Sequence, residues 1–205
     1  MPLTTWLAFL AASIVLSVTP GPGVVNTMSN ALSYGWRRSL AAIFGLQAGL
    51  AGTIVLVGVG LGSLIAASST AFTALKWLGV GYLIYLGWEK WRACAEFAVD
   101  SSRPAPSPWK LFNQAVLVNL TNPKAIVFLV AFFPQFIDPA RSYTEQVALM
   151  GFTAIVVDTL VMTGIAGLAA QLRRYVQDPR CMRLQNRLFG GLFMGAGMLL
   201  ATAKS

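Results

Sequence analysis

The stretch Val18-Thr19-Pro20-Gly21-Pro22-Gly23 lies inside a run with no charged side chain from Pro2 to Trp36. Lipid offers no partner to a freed N–H or C=O, so backbone that opens within hydrocarbon must be buried in protein or line a polar cavity. Two prolines and two glycines in succession break a helix almost anywhere. The stretch therefore predicts a helix interrupted near a membrane midplane. A second break of the same kind is expected at Leu120-Thr121-Asn122-Pro123-Lys124.

Membrane residence follows from composition. Only 11% of the 205 residues are charged and 56% are hydrophobic, against about 25% charged in soluble domains. The net charge of +8 raises nucleic acid as a partner, but the basic residues fall between apolar runs instead of forming one face. Membrane orientation explains them better, and no nucleic acid is expected. Cys94 and Cys181 stand far apart with no metal spacing, and histidine is absent. Both facts weigh against a metalloenzyme or hydrolase. No cofactor is expected. The N-terminus lacks the basic start of a signal peptide, so the first apolar run is taken as the first span.

Six apolar segments can be marked: about Leu3–Tyr34, Leu40–Ala67, Phe72–Trp88, Leu111–Ile137, Val147–Leu172 and Leu188–Ala203. As one straight rod the first would measure about 48 Å, well beyond a hydrocarbon core of about 30 Å. A break at Pro20 to Gly23 resolves this, with Pro22 in the first turn of the second half-helix, where its missing N–H does no harm. Arg37 and Arg38 are expected in a short polar turn. Gly45/Gly49 and Gly58/Gly62 have the spacing that lets helices approach closely. Gly190, Gly191 and Gly195 read as helix contact, with a homodimer face as the alternative. The turns after segments one, three and five hold eleven of the fifteen Lys and Arg residues. The positive-inside rule then puts these odd-numbered connectors in the cytoplasm and both termini outside.

The two breaks fall at matching places in segments one to three and four to six. Three spans are an odd number, so the second half enters the membrane in the opposite sense. The expected fold class is an all-α polytopic membrane protein: six transmembrane helices as two inverted three-helix repeats, with helices one and four discontinuous. It forms a single transmembrane domain over 1–205, with repeat one about 1–93, a cytoplasmic connector about 94–110 and repeat two about 111–205. Secondary transporters with this architecture bind substrate at the midplane between broken helices.

Several motifs carry a family resemblance: Pro20-Gly21-Pro22-Gly23 with Asn26-Thr27-Met28, Gly45-Leu46-Gln47, Tyr82-Leu83-Ile84-Tyr85-Leu86-Gly87, Asn119 to Lys124, Phe133-Pro134-Gln135-Phe136 and Val156-Val157-Asp158. With them the chain resembles the lysine-exporter superfamily, in its homoserine/threonine resistance branch, over nearly its whole length. The resemblance implies an exporter of small neutral amino acids in the bacterial inner membrane, driven by the proton gradient. The implied partners are a small amino-acid substrate, a proton and membrane lipid.

An amino-acid zwitterion needs a home for its carboxylate, its ammonium and its side chain. The half-helices starting near Pro22 and Pro123 each offer a positive dipole end for a carboxylate, and Lys124 adds a full charge. Carbonyls near Val18, Thr19, Leu120 and Thr121 can accept from an ammonium. Thr19, Pro20, Gly21, Gly23, Asn26, Gln47, Asn119, Thr121, Asn122 and Lys124 are the candidate substrate-binding residues, with Asn26, Asn119, Asn122, Gln47, Thr19 and Thr121 the ones that could reach a hydroxyl; several of these have helix capping as the plainer reading. Asp158 is the one acidic residue deep in a predicted span, where a carboxylate costs at least about 2.5 kcal/mol. Three roles are open to it: proton-coupling group, counter-ion for the substrate ammonium, or structural ion pair with Lys124. A transporter of another small polar metabolite, a channel, an intramembrane enzyme and a thiol-electron carrier are the competing functions. The enzyme would want a His, Ser or paired-carboxylate constellation at one depth, and the carrier would want cysteines inside spans.

Overall fold

The computed structural model describes residues 1–67, 69–92, 106–171 and 179–202. Among them every regular element is helical. The α-helices are α1 (Leu3–Val18), α2 (Pro22–Tyr34), α3 (Trp36–Ala67), α4 (Ser69–Arg92), α5 (Pro108–Leu120), α6 (Pro123–Phe132), α7 (Tyr143–Gln171) and α8 (Pro179–Thr202), with a 3-10 turn at Phe133–Phe136 after α6.

Both breaks form where Pro and Gly were read. Thr19, Pro20 and Gly21 leave the helix between α1 and α2, and the axes of the two halves diverge by 52°. Thr121 and Asn122 do the same between α5 and α6, with a bend of 47°. Each second half begins on a proline, whose fixed φ suits a first helical position. At 16 and 13 residues, α1 and α2 are about 24 and 20 Å long. Neither alone crosses a core of about 30 Å. Two helices, α3 and α7, are long and apolar enough to do so alone. Counting each bent pair as one span gives up to four candidates among the described residues.

Segment ends differ from the sequence expectation at several places. Arg37 and Arg38 are not in a turn: α3 starts at Trp36, and Gly35 alone makes the corner. Its φ of 80° is open to glycine and strained for other residues. Ser39 then secures the new helix by donating from its Oγ to the Trp36 carbonyl at 2.7 Å. The last helix starts nine residues earlier than expected, at Pro179, since a basic stretch is as good a helix former as an apolar one. Cys94, Arg173, Arg174 and most of the connector 94–110 lie outside the described residues.

Two buried clusters hold the broken helices to the long ones. Phe9 of α1 meets Phe133 and Phe136 edge-on, beside Leu50, Ile54, Phe128 and Met150. Val24 and Met28 of α2 pack with Ile43 of α3 and Met162 and Ala166 of α7. Glycine sets the closest contacts. A Cβ on Gly45 would fall 2.2 Å from the Phe112 carbonyl oxygen, and one on Gly49 would fall 2.6 Å from that of Val116, so α3 and α5 touch backbone to backbone. Helices α4 and α8 meet in the same way: Gly190 lies against the Gly87 carbonyl and Trp91 of its own chain.

Candidate functional site

The two breaks face each other, and Lys124 ties them together. Its side chain runs from the start of α6 to the end of α1, where Nζ donates to the carbonyls of Leu16 at 2.9 Å and Thr19 at 2.8 Å. Those carbonyls lie at the C-terminal end of a helix, where the dipole is negative; Leu16 also accepts the Thr19 N–H at 3.2 Å, and Lys124 takes up its remaining acceptor capacity. A buried ammonium, 8% exposed here, needs such acceptors. The path passes close to Gly21, where a Cβ would fall 3.1 Å from Cε and Nζ of Lys124 and push the lysine aside by a few tenths of an ångström.

A cavity of about 40 Å³ lies beside this crossing. Ser13 and Ser17 of α1, Gly23 and Val24 of α2, Asn119 of α5 and Asn122 and Lys124 at the second break border it, with Asp158 of α7. Leu46, Leu50, Phe128, Leu129, Ala154 and Met162 form its apolar walls. Small-molecule sites usually begin near about 300 Å³. The cavity is therefore contracted, with room for a few water molecules.

The hydrogen bonds divide the sequence candidates. Asn119 donates to the Leu46 carbonyl at 2.7 Å and accepts from Asn122 at 3.2 Å. Asn122 caps α6 by accepting from the Lys124 N–H at 3.1 Å. Both amides border the cavity, yet these polar groups already serve the second break. By contrast, the first turn of α2, at the cavity through Gly23 and Val24, has no side-chain cap. Gln47 is buried and donates from Nε2 to Oδ2 of Asp158 at 2.9 Å, while its Oε1 has no partner. Thr19 turns its hydroxyl to the Val15 carbonyl and presents its own carbonyl to Lys124. Pro20 completes the corner. Two candidates lie elsewhere. Thr121 is exposed and bonds back to Leu117, and Asn26 is half-buried beside Asn30. Ser13 and Ser17 were not among the sequence candidates; their signal is serine at i and i+4 in an otherwise apolar helix leading into the break.

These features define a helical membrane protein with a small cavity between two interrupted helices, bordered by a lysine and an aspartate. A family model described as LysE type translocator matches residues 14–204, and the chain belongs to that family. It is 53% identical over its full length to an uncharacterized membrane protein of Vibrio cholerae that it covers completely. It is 47% identical over 204 residues to a homoserine/homoserine lactone efflux protein of Salmonella typhimurium, covering all of this chain and 99% of that one. At 32% identity it also matches an uncharacterized membrane protein of Pseudomonas aeruginosa, over 98% of this chain and 96% of the other. No solved structure matches.

Proposed function

We propose that the chain exports small neutral amino acids or their derivatives (homoserine, homoserine lactone and threonine-like compounds) from the bacterial cytoplasm in exchange for protons. The observation that carries this reading is the distribution of charge around one cavity. Lys124 and the uncapped start of α2 supply positive potential where a carboxylate would sit, and Asp158 supplies a negative group for an ammonium. Membership of a translocator family and the efflux relative support it. Opposite charges on a single cavity argue against the channel alternative, which favours rings of one sign.

The transport fold we propose is six spans in two inverted repeats, with odd-numbered connectors in the cytoplasm and both termini outside. The packing pattern supports it. Exchanging α1, α2, α3 and α4 for α5, α6, α7 and α8 turns the α3–α5 contact into α7–α1 and the α3–α6 contact into α7–α2. The α3–α7 and α4–α8 contacts map onto themselves. These four relations are those a two-fold axis between halves requires, whereas α2–α3 and α4–α6 have no counterpart of like extent in α6–α7 and α2–α8 among the described residues.

Asp158 is assigned the proton. An amide partner suits either form of a carboxyl: Gln47 donates to the carboxylate through Nε2, and its unpartnered Oε1 can accept from the protonated acid. In liposomes with an imposed pH gradient, the wild-type protein should concentrate homoserine. Asp158→Asn should abolish that accumulation while homoserine exchange at equal pH persists with a raised apparent KM, since the asparagine Oδ1 still accepts from the ammonium but carries no charge. Continued accumulation by the variant would remove Asp158 from coupling; no movement of any amino acid by the wild type would remove the export reading itself.

Gly21→Ala tests the Lys124 crossing. The added methyl displaces the lysine by a few tenths of an ångström, and misplacement at a site is costly. A roughly tenfold loss of homoserine exchange is expected, with thermal stability changed by about 1 kcal/mol or less.

A further inference from the structure

Serine and threonine hydroxyls inside helices usually bond back to the carbonyl four residues earlier. Thr53, Thr153 and Thr159 do so inside their helices and Thr19 and Thr121 at helix ends, while Thr27 finds Met162 Sδ instead. Ser13 does neither. It is 2% exposed, lines the cavity beside the first break, and its Oγ has no hydrogen-bond partner. A buried hydroxyl left without a partner is destabilising, so one kept at a cavity wall is matched to something that enters the cavity.

We propose that Ser13 is the specificity-determining residue that reads a hydroxyl on the substrate's side chain. The inference rests on the export reading above. The zwitterion is accounted for by other groups: Lys124 and the α2 N-terminus for the carboxylate, Asp158 for the ammonium. Asn119 and Asn122, also on the wall, are bonded to each other and to the second break. Of the two lining serines, Ser13 is the one whose fully buried Oγ has no partner, which assigns it the third part of the molecule. A hydroxyl can both donate and accept, so it matches an alcohol in either orientation. The neighbouring walls, Phe128, Leu129 and Leu50, suit the methylene carbons between that alcohol and the zwitterion. The class of substrate so defined is a short amino acid bearing a side-chain alcohol; homoserine lactone, whose alcohol and carboxylate are joined as an ester, can meet Ser13 only as an acceptor.

The test compares homoserine with 2-aminobutyrate, which lacks only the hydroxyl. Their apparent KM values are measured by counterflow in proteoliposomes, for wild type, Ser13→Ala and Ser13→Cys. The wild type should favour homoserine by about tenfold, the scale of one neutral hydrogen bond plus the cost of leaving its partner unmet. Ser13→Ala and Ser13→Cys should raise the KM for homoserine about tenfold and leave that for 2-aminobutyrate within about twofold, erasing the preference. Alanine is the better helix former, so folding is preserved. If the hydroxyl serves only a bound water, the variants will shift both KM values together or neither, and the proposal is overturned. Equal KM values in the wild type also overturn it while leaving the export reading intact. Failure of the wild type to move either compound would end both.

Discussion

Lys124→Met should abolish homoserine exchange, with a loss of about a hundredfold or more. Its ammonium makes two charge-assisted bonds, to the Leu16 and Thr19 carbonyls, each worth about 1.5–3 kcal/mol. Those bonds place the ammonium; the loss of exchange comes, on the proposed reading, from the substrate carboxylate, since truncating one partner of a buried charge pair costs about 2–5 kcal/mol and about 3 kcal/mol is roughly a hundredfold. Lys124→Arg should fail almost as badly. A planar, bulkier guanidinium does not fit a path that passes Gly21 so closely that a Cβ there would fall 3.1 Å from the lysine's Cε and Nζ. Lys110→Met, at an exposed position, should exchange homoserine at the wild-type rate. Initial rates of labelled homoserine exchange in proteoliposomes, normalised to inserted protein, give the comparison.

The second large effect concerns the scaffold. Gly45→Ala inserts a carbon 2.2 Å from the Phe112 carbonyl oxygen and 2.9 Å from Cβ of Ala115. Both obstacles are backbone or attached directly to it, so α3 and α5 must part instead of a side chain turning aside. Overpacking of this kind costs about 3 kcal/mol at the upper end, and for a chain of this size a fall in Tm of about 10 °C follows. Gly164→Ala is the control: nothing lies within 4 Å of its added carbon, and it should be neutral or slightly stabilising. Thermal unfolding in detergent measures both. The separation would also propagate to the site, since Asn119 on α5 donates to the carbonyl of Leu46, the residue after Gly45.

The breaks were legible because proline and glycine act locally. Pro22 and Pro123 open helices at the positions their fixed φ dictates, whatever surrounds them. Asp158 was legible because a charge in an apolar helix has few uses. What Lys124 reaches was not legible, since residues 16 and 124 meet only through packing of helices far apart in sequence. Helical phase explains the misplaced threonine. Leu111, Ala115 and Asn119 mark the buried face of α5 at intervals of four, and Thr121 lies about 200° around from Asn119. It was chosen for its chemistry, when its angle already turned it outward. Ser13 failed the opposite way. Serine inside a membrane helix is common enough to pass unnoticed, and the missing back-bond that singles it out is a property of coordinates alone.

The central claim is that substrate occupies the space between the two interrupted helices, and substrate protection tests it most directly. In a background with Cys94 and Cys181 replaced by serine, single cysteines are introduced as Ser17→Cys and Ala125→Cys at the cavity, and as Thr121→Cys on the exposed side of the second break. Their rates of labelling by a small thiol reagent are measured with and without homoserine. The account predicts slower labelling at 17 and 125 in the presence of homoserine, with no change at 121. Unchanged rates at 17 and 125, at a homoserine concentration that saturates exchange, would put the substrate somewhere else and contradict it.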